Sequence, residues 1–297
     1  MEYRKLGNSD LIVSTVSFGC MSLGNDDASN TSLLKLALDA GINYFDTADI
    51  YQNGYNEETV GRAFKSMRSK IILATKAGNR PRQDGGLDWD ASKKYILQAV
   101  EKSLVRLQTD YIDLYQLHGG TIQDPIDETI EAFELLKQQG KIRAYGISSI
   151  RPNVIREYIK RSNIASVMMQ YSLLDRRPEE ECLDLLHQNN ISVLARGSVA
   201  KGLLLGKTPE PFLNYTSLQV SNAAEAIKSI AGTTRIPASA AIQYVLYHPA
   251  VASAVVGIRT QQQLQESVAA ATSPPLTMSE INLLKNAMEP NRYEQHR

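Results

Sequence analysis

Residues 103–118 read SLVRLQTDYIDLYQLH, the stretch in which the end of one helix is followed directly by a complete strand. Apolar residues at helical spacing predict a helix over Ser92–Leu107. The apolar run Tyr111–Gln116 predicts the strand, and His118 follows it with a side chain that can exchange protons. A helix that leads into a short apolar strand is the repeating unit of a parallel α/β fold.

The same alternation extends over almost the whole chain. Strands are predicted at Val16–Phe18, Ile42–Phe45, Lys70–Thr75, Tyr111–Gln116, Arg143–Ile147, Ala165–Met169, Ser192–Ala195 and Ala254–Val256. Helices are predicted at Ser32–Ala40, Glu57–Lys65, Ser92–Leu107, from Asp124-Pro125 to Gly140, at Pro152–Arg161, and near 179–189, 238–247 and 261–271. Roughly eight β/α units without a break in composition predict an α/β fold, a (β/α)8 TIM barrel, with residues 1–297 as one domain.

Three segments lie outside this repeat. Residues near 3–13 are predicted to form an N-terminal β-hairpin around a Gly7-Asn8-Ser9 turn. The polar segment Lys207–Val220 is too long for an ordinary loop and is interpreted as a lid or excursion. The polar tail after Pro290 is expected to fray.

Composition excludes several classes of protein. Lys plus Arg and Asp plus Glu balance at 32 each, so no electrostatic feature predicts a nucleic-acid or anionic-membrane partner. Cys20 and Cys182 form no Cys-x-x-Cys, which argues against a disulfide framework or a zinc site. Neither a signal-peptide core nor a membrane-spanning apolar run is present, so a cytoplasmic protein is predicted. Gly-x-Gly-x-x-Gly and P-loop motifs are also absent, which disfavours those nucleotide-binding modes.

Different acid–base groups follow the early strands. Asp46 and Tyr51 follow the second strand, Lys76 the third, and His118 the fourth. In a parallel barrel such strand ends open on one face, where active sites are built. A phenol, an ammonium, a carboxylate and an imidazole together can protonate a carbonyl at neutral pH. For an arbitrary barrel, a loop tyrosine beside a structural Asp46–Lys76 ion pair is the competing interpretation.

Four ordered segments carry a resemblance to a known family. They are Phe45-Asp46-Thr47-Ala48-Asp49-Ile50-Tyr51, residues 103–118, Gly140-Lys141-Ile142-Arg143-Ala144-Tyr145-Gly146-Ile147-Ser148-Ser149, and Gly257-Ile258-Arg259-Thr260. With these segments the chain resembles the aldo-keto reductases over nearly its whole length. The resemblance implies Tyr51 as proton donor, Lys76 as the cation that lowers its pKa, Asp46 as partner of Lys76, and His118 as the group that orients a small carbonyl substrate.

The resemblance also implies NADPH, bound extended across the barrel mouth. Ser148 and Ser149 match the carboxamide-binding region, although a polar cap at the strand end is an alternative role for them. Met168 stands where glutamine is usual, and Gln170, on the same face of the strand, is the candidate substitute. Arg196 stands where an aromatic ring usually stacks on the nicotinamide; a guanidinium can also stack, but its charge would disfavour the oxidised ring.

The remaining cofactor residues are expected around the phosphates and the adenine. The loop after the seventh strand contributes Gly197, Ser198, Val199 and Lys201 beside the pyrophosphate. Gly257 and Arg259 match the region that binds the adenosine 2′-phosphate, and Gln263 and Ser267 match the adenine face of the next helix. For Lys201, Gln263 and Ser267 a solvated surface position is an equally good interpretation.

Other functions stay open at this stage. Lys76 could instead form a Schiff base in an aldolase, although the nearby Asp46 would keep it charged. The departures at Met168 and Arg196 leave room for a barrel that binds NADPH as a redox-sensing or regulatory subunit. Trp89, Cys20 and Met21 suggest an apolar substrate rim, with a merely packed Trp89 as the alternative. The oligomeric state is not determined, and a monomer fits the sequence.

Overall fold

The protein is built around a closed parallel barrel. The computed structural model describes residues 1–82, 84–232 and 235–297. The barrel strands are β3 (Val16–Gly19), β4 (Tyr44–Asp46), β5 (Ile72–Ala77), β8 (Ile112–Leu117), β9 (Ile142–Ser148), β10 (Ser166–Gln170), β11 (Ser192–Arg196) and β12 (Val251–Gly257). They close in this order, so each of the eight predicted strands is present and the predicted barrel is confirmed.

Helices cover the outside of the barrel. They are α1 (Asp27–Asp39), α2 (Tyr55–Phe64), α3 (Lys93–Leu107), α4 (Ile126–Gln138), α5 (Pro152–Arg161), α6 (Cys182–Gln188), α7 (Ser217–Ala231), α8 (Pro237–Leu246), α9 (Gln261–Thr272) and α10 (Met278–Asn286). The helix α1 begins five residues before its predicted start because the Asp26 carboxylate accepts hydrogen bonds from the backbone N–H groups of Ala28 and Ser29. Within the described residues no helix has the length and apolar character needed to cross a membrane.

Adjacent helices α2 and α3 cross at very close range. A Cβ atom on Gly61 would lie 2.6 Å from the Leu107 carbonyl oxygen, so only glycine lets α2 approach this backbone. The crossing brings the buried Glu57 to the Arg106 guanidinium, with 2.6 Å between Glu57 Oε2 and Arg106 Nε. Thr75 Oγ1 of β5 donates to the other carboxylate oxygen of Glu57, also at 2.6 Å. These contacts fix α2 against the barrel beside the strand that contains Lys76.

The predicted N-terminal hairpin is present as β1 (Tyr3–Lys5) and β2 (Ile12–Ser14), paired antiparallel. Its buried residues Leu6, Leu11 and Val13 share one apolar cluster with inward-facing residues of the barrel strands such as Tyr44 and Leu194. The cluster closes one end of the barrel with apolar side chains. Polar groups can therefore be accommodated at the opposite end, where the strands finish.

Two predictions about irregular segments are wrong in part. Within Lys207–Val220, Phe212 and Tyr215 form a bridge and α7 already begins at Ser217, so the irregular part is shorter than predicted; its role as a lid stays a prediction. The tail after Pro290 is anchored, because Asn291 Oδ1 accepts from the Arg176 N–H at 2.8 Å and Tyr293 is buried. A further hairpin, β6 (Asn79–Pro81) with β7 (Leu87–Trp89), was not predicted.

Candidate active site

The carboxyl ends of β4 and β5 place an ion pair in the barrel interior. Lys76 is fully buried, and its Nζ donates to Asp46 Oδ2 at 2.5 Å and to the Thr47 carbonyl at 2.6 Å. Burial alone would lower the pKa of Lys76, but Asp46 and Tyr51 offset this and the net pKa is raised. Lys76 is therefore an ammonium at neutral pH, which argues against the Schiff-base alternative.

Asp46 has a second partner that the sequence did not reveal. Gln116, fully buried on β8 and in register with Lys76, donates its Nε2 hydrogen to Asp46 Oδ1 at 3.3 Å. Burial raises the pKa of Asp46, whereas Lys76 and Gln116 counteract the rise. Gln116 lies two residues before His118, and strand alternation was the available signal that it points inward.

Tyr51 lies directly above this ion pair. It begins the short 3-10 turn Tyr51–Gly54, in which Gln52 and Asn53 adopt φ values of 50° and 54° and Gly54 reaches 91°. The Tyr51 ring centroid is 5.1 Å from Lys76 Nζ. Lys76 lowers the pKa of the Tyr51 phenol, as expected, but burial has the larger effect and the net pKa is raised. The phenol is thus protonated at neutral pH and can act as a proton donor.

His118 faces the Tyr51 ring edge-on, with 5.8 Å between ring centroids and 83° between planes. Its backbone N–H donates to the Ala77 carbonyl at 2.7 Å, and Asn79 Nδ2 donates to the His118 carbonyl at 3.2 Å. Burial, with smaller effects from Lys76 and Arg196, lowers the pKa of His118 to about 3. The imidazole is therefore neutral. Its Nδ1 is buried without a partner among the described residues, so a ligand would bond to the ring through Nε2.

The predicted carboxamide contacts lie at the ends of the later strands, on the same face as the acid–base groups. Ser148 ends β9, Gln170 ends β10 and Arg196 ends β11. Arg196 is exposed and donates from Nη1 to Gln170 Oε1 at 3.3 Å, so these two residues form one polar unit. Ser149 is buried, and its Oγ accepts from the Arg151 N–H at 3.2 Å, as expected of a local cap.

The predicted phosphate-binding loop follows β11. Gly197 has a φ of 74°, Ser198 is buried, Val199 is half-buried, and Lys201 is exposed with a φ of 58°. A Cβ atom on Gly197 would lie 3.3 Å from Gln170 Cγ, so the absence of a side chain leaves the backbone beside Gln170 open. This loop and its exposed cation suit a phosphate-bearing ligand.

The last group lies after β12. Gly257 ends the strand, and Arg259 and Gln263 are exposed. The Arg259 backbone N–H donates to Gln263 Oε1 at 2.9 Å, so the bond uses no atom of the exposed Arg259 side chain. Ser267 is buried, and its hydroxyl donates to the Gln263 carbonyl of its own helix at 2.7 Å. The exposed cations Lys201 and Arg259 suit the phosphates of a dinucleotide, while Ser149 and Ser267 are engaged within the protein.

Trp89 is held in place by a hydrogen bond and by two glycines under its ring. Its Nε1 donates to Asp124 Oδ1 at 2.8 Å. Cβ atoms added to Gly78 and Gly119 would approach its ring within 2.8 and 3.1 Å, so the indole covers two glycines that follow the strands of Lys76 and His118. Trp89 is thus packed against its own barrel. Met21 is exposed at the mouth, whereas Cys20 is buried in the core and does not contribute to a rim as expected.

Known proteins resemble this chain over most of its length. Residues 15–289 match the model of the aldo/keto reductase family. The chain is 54% identical to "Uncharacterized oxidoreductase YqkF" of Bacillus subtilis, with both chains covered completely, and 34% identical to "Aldo-keto reductase yakc [NADP(+)]" of Schizosaccharomyces pombe over 70% of this chain and 65% of that protein. The aldo-keto reductase AKR11C1 from Bacillus halodurans, in its holo form, superposes with a TM-score of 0.95 at 52% identity, covering 100% of this chain and 99% of that one.

Proposed function

The chain belongs to the aldo/keto reductase family, and from that premise we propose that it reduces small aldehydes or ketones to alcohols with NADPH, with Tyr51 as the proton donor. One observation carries the proposal. A buried Lys76–Asp46 pair lies 5.1 Å below the Tyr51 ring, and a neutral His118 lies beside that ring. Family membership supports an oxidoreductase that acts on carbonyl groups; the cofactor and the individual roles are our proposal.

Each of the four acid–base residues has its own proposed role in the reaction. His118 donates a hydrogen bond to the carbonyl oxygen and orients it toward Tyr51. Tyr51 then transfers its phenolic proton to that oxygen as negative charge develops there. Lys76 stabilises the phenolate that remains, and Asp46 keeps Lys76 charged and in place. A bound nicotinamide cofactor would supply the hydride that reaches the carbonyl carbon.

Residues of the second half of the barrel are proposed to hold that cofactor. Gln170 and Arg196 would contact the nicotinamide end, Lys201 the pyrophosphate, and Arg259 the 2′-phosphate that distinguishes NADPH from NADH. The relative whose name includes NADP(+) supports this choice. Cys20 and Cys182 are buried free thiols, in keeping with the reducing cytoplasm that we propose as the compartment.

The test is NADPH oxidation with a panel of aldehydes and ketones, using wild type and Tyr51→Phe, with NADH as the control cofactor. We expect Tyr51→Phe to retain NADPH binding and to lose roughly 10²–10⁴-fold in kcat, the range for a general acid. Equal turnover by Tyr51→Phe would refute the assigned donor. Tight NADPH binding without turnover on any carbonyl would instead indicate a regulatory NADPH-binding protein.

A further inference from the structure

Gln116 is a buried polar residue that has no role in the proposed reaction. It lies in the inward-facing layer of β8, between Lys76 on β5 and Gly146 on β9, and its side chain is fully buried. Its amide nitrogen donates to Asp46 Oδ1, while its Oε1 has no partner among the described residues. An apolar residue would fill this layer without leaving a buried amide oxygen unpaired. The polar side chain is therefore best explained by its contact with Asp46.

The two oxygens of Asp46 have different partners. Lys76 Nζ contacts Oδ2 at 2.5 Å, and Gln116 Nε2 contacts Oδ1 at 3.3 Å. A carboxylate held at one oxygen only can rotate, but one held at both presents a fixed edge to its cation. We propose that Gln116 is a positioning residue that, by donating its amide hydrogen to Asp46 Oδ1, keeps this carboxylate ionised and aligned with Lys76. The proposal rests on the proposed function, because it concerns the ion pair beneath Tyr51.

Because Asp46 is buried, its hydrogen bond with Gln116 affects whether this carboxyl group is ionised. Its charged and titratable neighbours are Lys76, Tyr44, Tyr51, Cys20 and, further away, Arg196. Burial raises the pKa of Asp46, and the hydrogen bond from Gln116 is one of the effects that lower it. Without Gln116, the buried pair would approach its neutral form, with the proton on Asp46. A neutral Lys76 no longer stabilises the Tyr51 phenolate, so proton transfer from Tyr51 becomes slower.

The test compares Gln116→Met, Gln116→Glu and the control Leu114→Met. Methionine keeps the length of Gln116 but cannot donate; a protonated glutamic acid can donate, whereas a glutamate cannot. Leu114 faces the same interior two residues earlier and is not among the partners of Asp46. We expect Gln116→Met to lose about tenfold in kcat, equal to ~1.4 kcal/mol of activation free energy, with little change in KM. Gln116→Glu should recover activity as pH falls, and Leu114→Met should keep the wild-type pH profile.

A second readout does not depend on turnover. In protein labelled with 13C at the aspartate carboxyl carbons, the signal lost in Asp46→Asn identifies Asp46, and its titration can be followed directly. We expect this titration to move to higher pH in Gln116→Met and to stay in place in Leu114→Met. An unmoved Asp46 titration would overturn the role of Gln116 even if Tyr51 proves essential. A moved titration with a fully active Tyr51→Phe would overturn the proposed donor and leave the Gln116 contact standing. If Gln116→Met does not fold, Gln116→Leu serves the same titration.

Discussion

Two groups near the site, the half-buried His118 and the buried Asp49, are expected to give the stability of the protein opposite pH dependences. The pKa of His118 is lowered from 6.5 to about 3. Between these two pH values the unfolded state binds a proton that the folded state does not bind. Stability from this residue is therefore lost as pH falls through this range. Integrating between pH 8 and pH 5 gives a loss of about 2 kcal/mol in the free energy of unfolding.

Asp49 acts in the reverse direction. Burial, with a further effect from Glu57, raises its pKa from 3.8 to about 7, and its Oδ1 is buried without a partner among the described residues. The folded state now binds a proton more readily than the unfolded state. Stability rises as pH falls through 7, by about 2.5 kcal/mol between pH 8 and pH 5. For these two residues together, wild type is expected to change by only about 0.5 kcal/mol.

Single substitutions separate the two effects. We expect His118→Leu to gain about 2 kcal/mol, relative to wild type, when the pH falls from 8 to 5, and Asp49→Asn to lose about 2.5 kcal/mol. Urea denaturation at both pH values measures each difference. If both variants change with pH by the same amount as wild type, the reasoning about burial is refuted.

Three further substitutions are expected to change the stability or the cofactor affinity of the protein. Gly61→Ala should destabilise the protein by about 1–3 kcal/mol despite the better helix propensity of alanine, because the methyl group meets the Leu107 carbonyl. Gly24→Ala, with open space around it, should be close to neutral, and thermal denaturation compares the two variants. Arg106→Met should lower the free energy of unfolding by about 3–5 kcal/mol, measured by urea denaturation, because it leaves the buried Glu57 carboxylate without its cation. The double variant with Glu57→Gln should recover part of this loss, and an Arg106→Met protein as stable as wild type would contradict the expectation. Arg259→Ala should raise the KM for NADPH by about 10–100-fold and leave the KM for NADH unchanged, as measured by initial rates; an equal effect on both cofactors would remove Arg259 from the 2′-phosphate site.

The strand pattern was sufficient to predict the barrel because its strands are buried on both faces and appear as apolar runs. The hairpin of β6 and β7 has no such pattern, and ion pairs of Arg80 and Arg82 with Asp88 connect its two strands. The helix α7 was missed although the sequence carries a local signal: Thr216 and Gln219 form a capping box at its start. The helix α10 begins in the same way, with Thr277 and Glu280.

At the candidate site, the sequence indicated which groups share a face but not their electrostatic environment. Strand ends place Asp46, Lys76 and His118 together in any parallel barrel, and these residues could be predicted. The raised pKa of Tyr51 depends on how deeply the loop buries it, which no motif specifies. Likewise, the buried Ser267 hydroxyl bonds to its own helix, and the residue type alone does not predict this partner.

The hairpin that closes the barrel also sets a constraint on the order of folding. Two of its contacts are with residues far along the chain: Arg4 Nη1 donates to the Val251 carbonyl at 2.8 Å, and the Gly7 N–H donates to Ser192 Oγ at 2.8 Å. Contacts between residues so far apart in sequence carry a large loop-closure entropy and are expected to form late. We therefore expect the hairpin to dock only after β11 and β12 are in place. Until then Leu6, Leu11 and Val13 stay exposed, so a folding intermediate with an undocked hairpin is expected to be prone to aggregation.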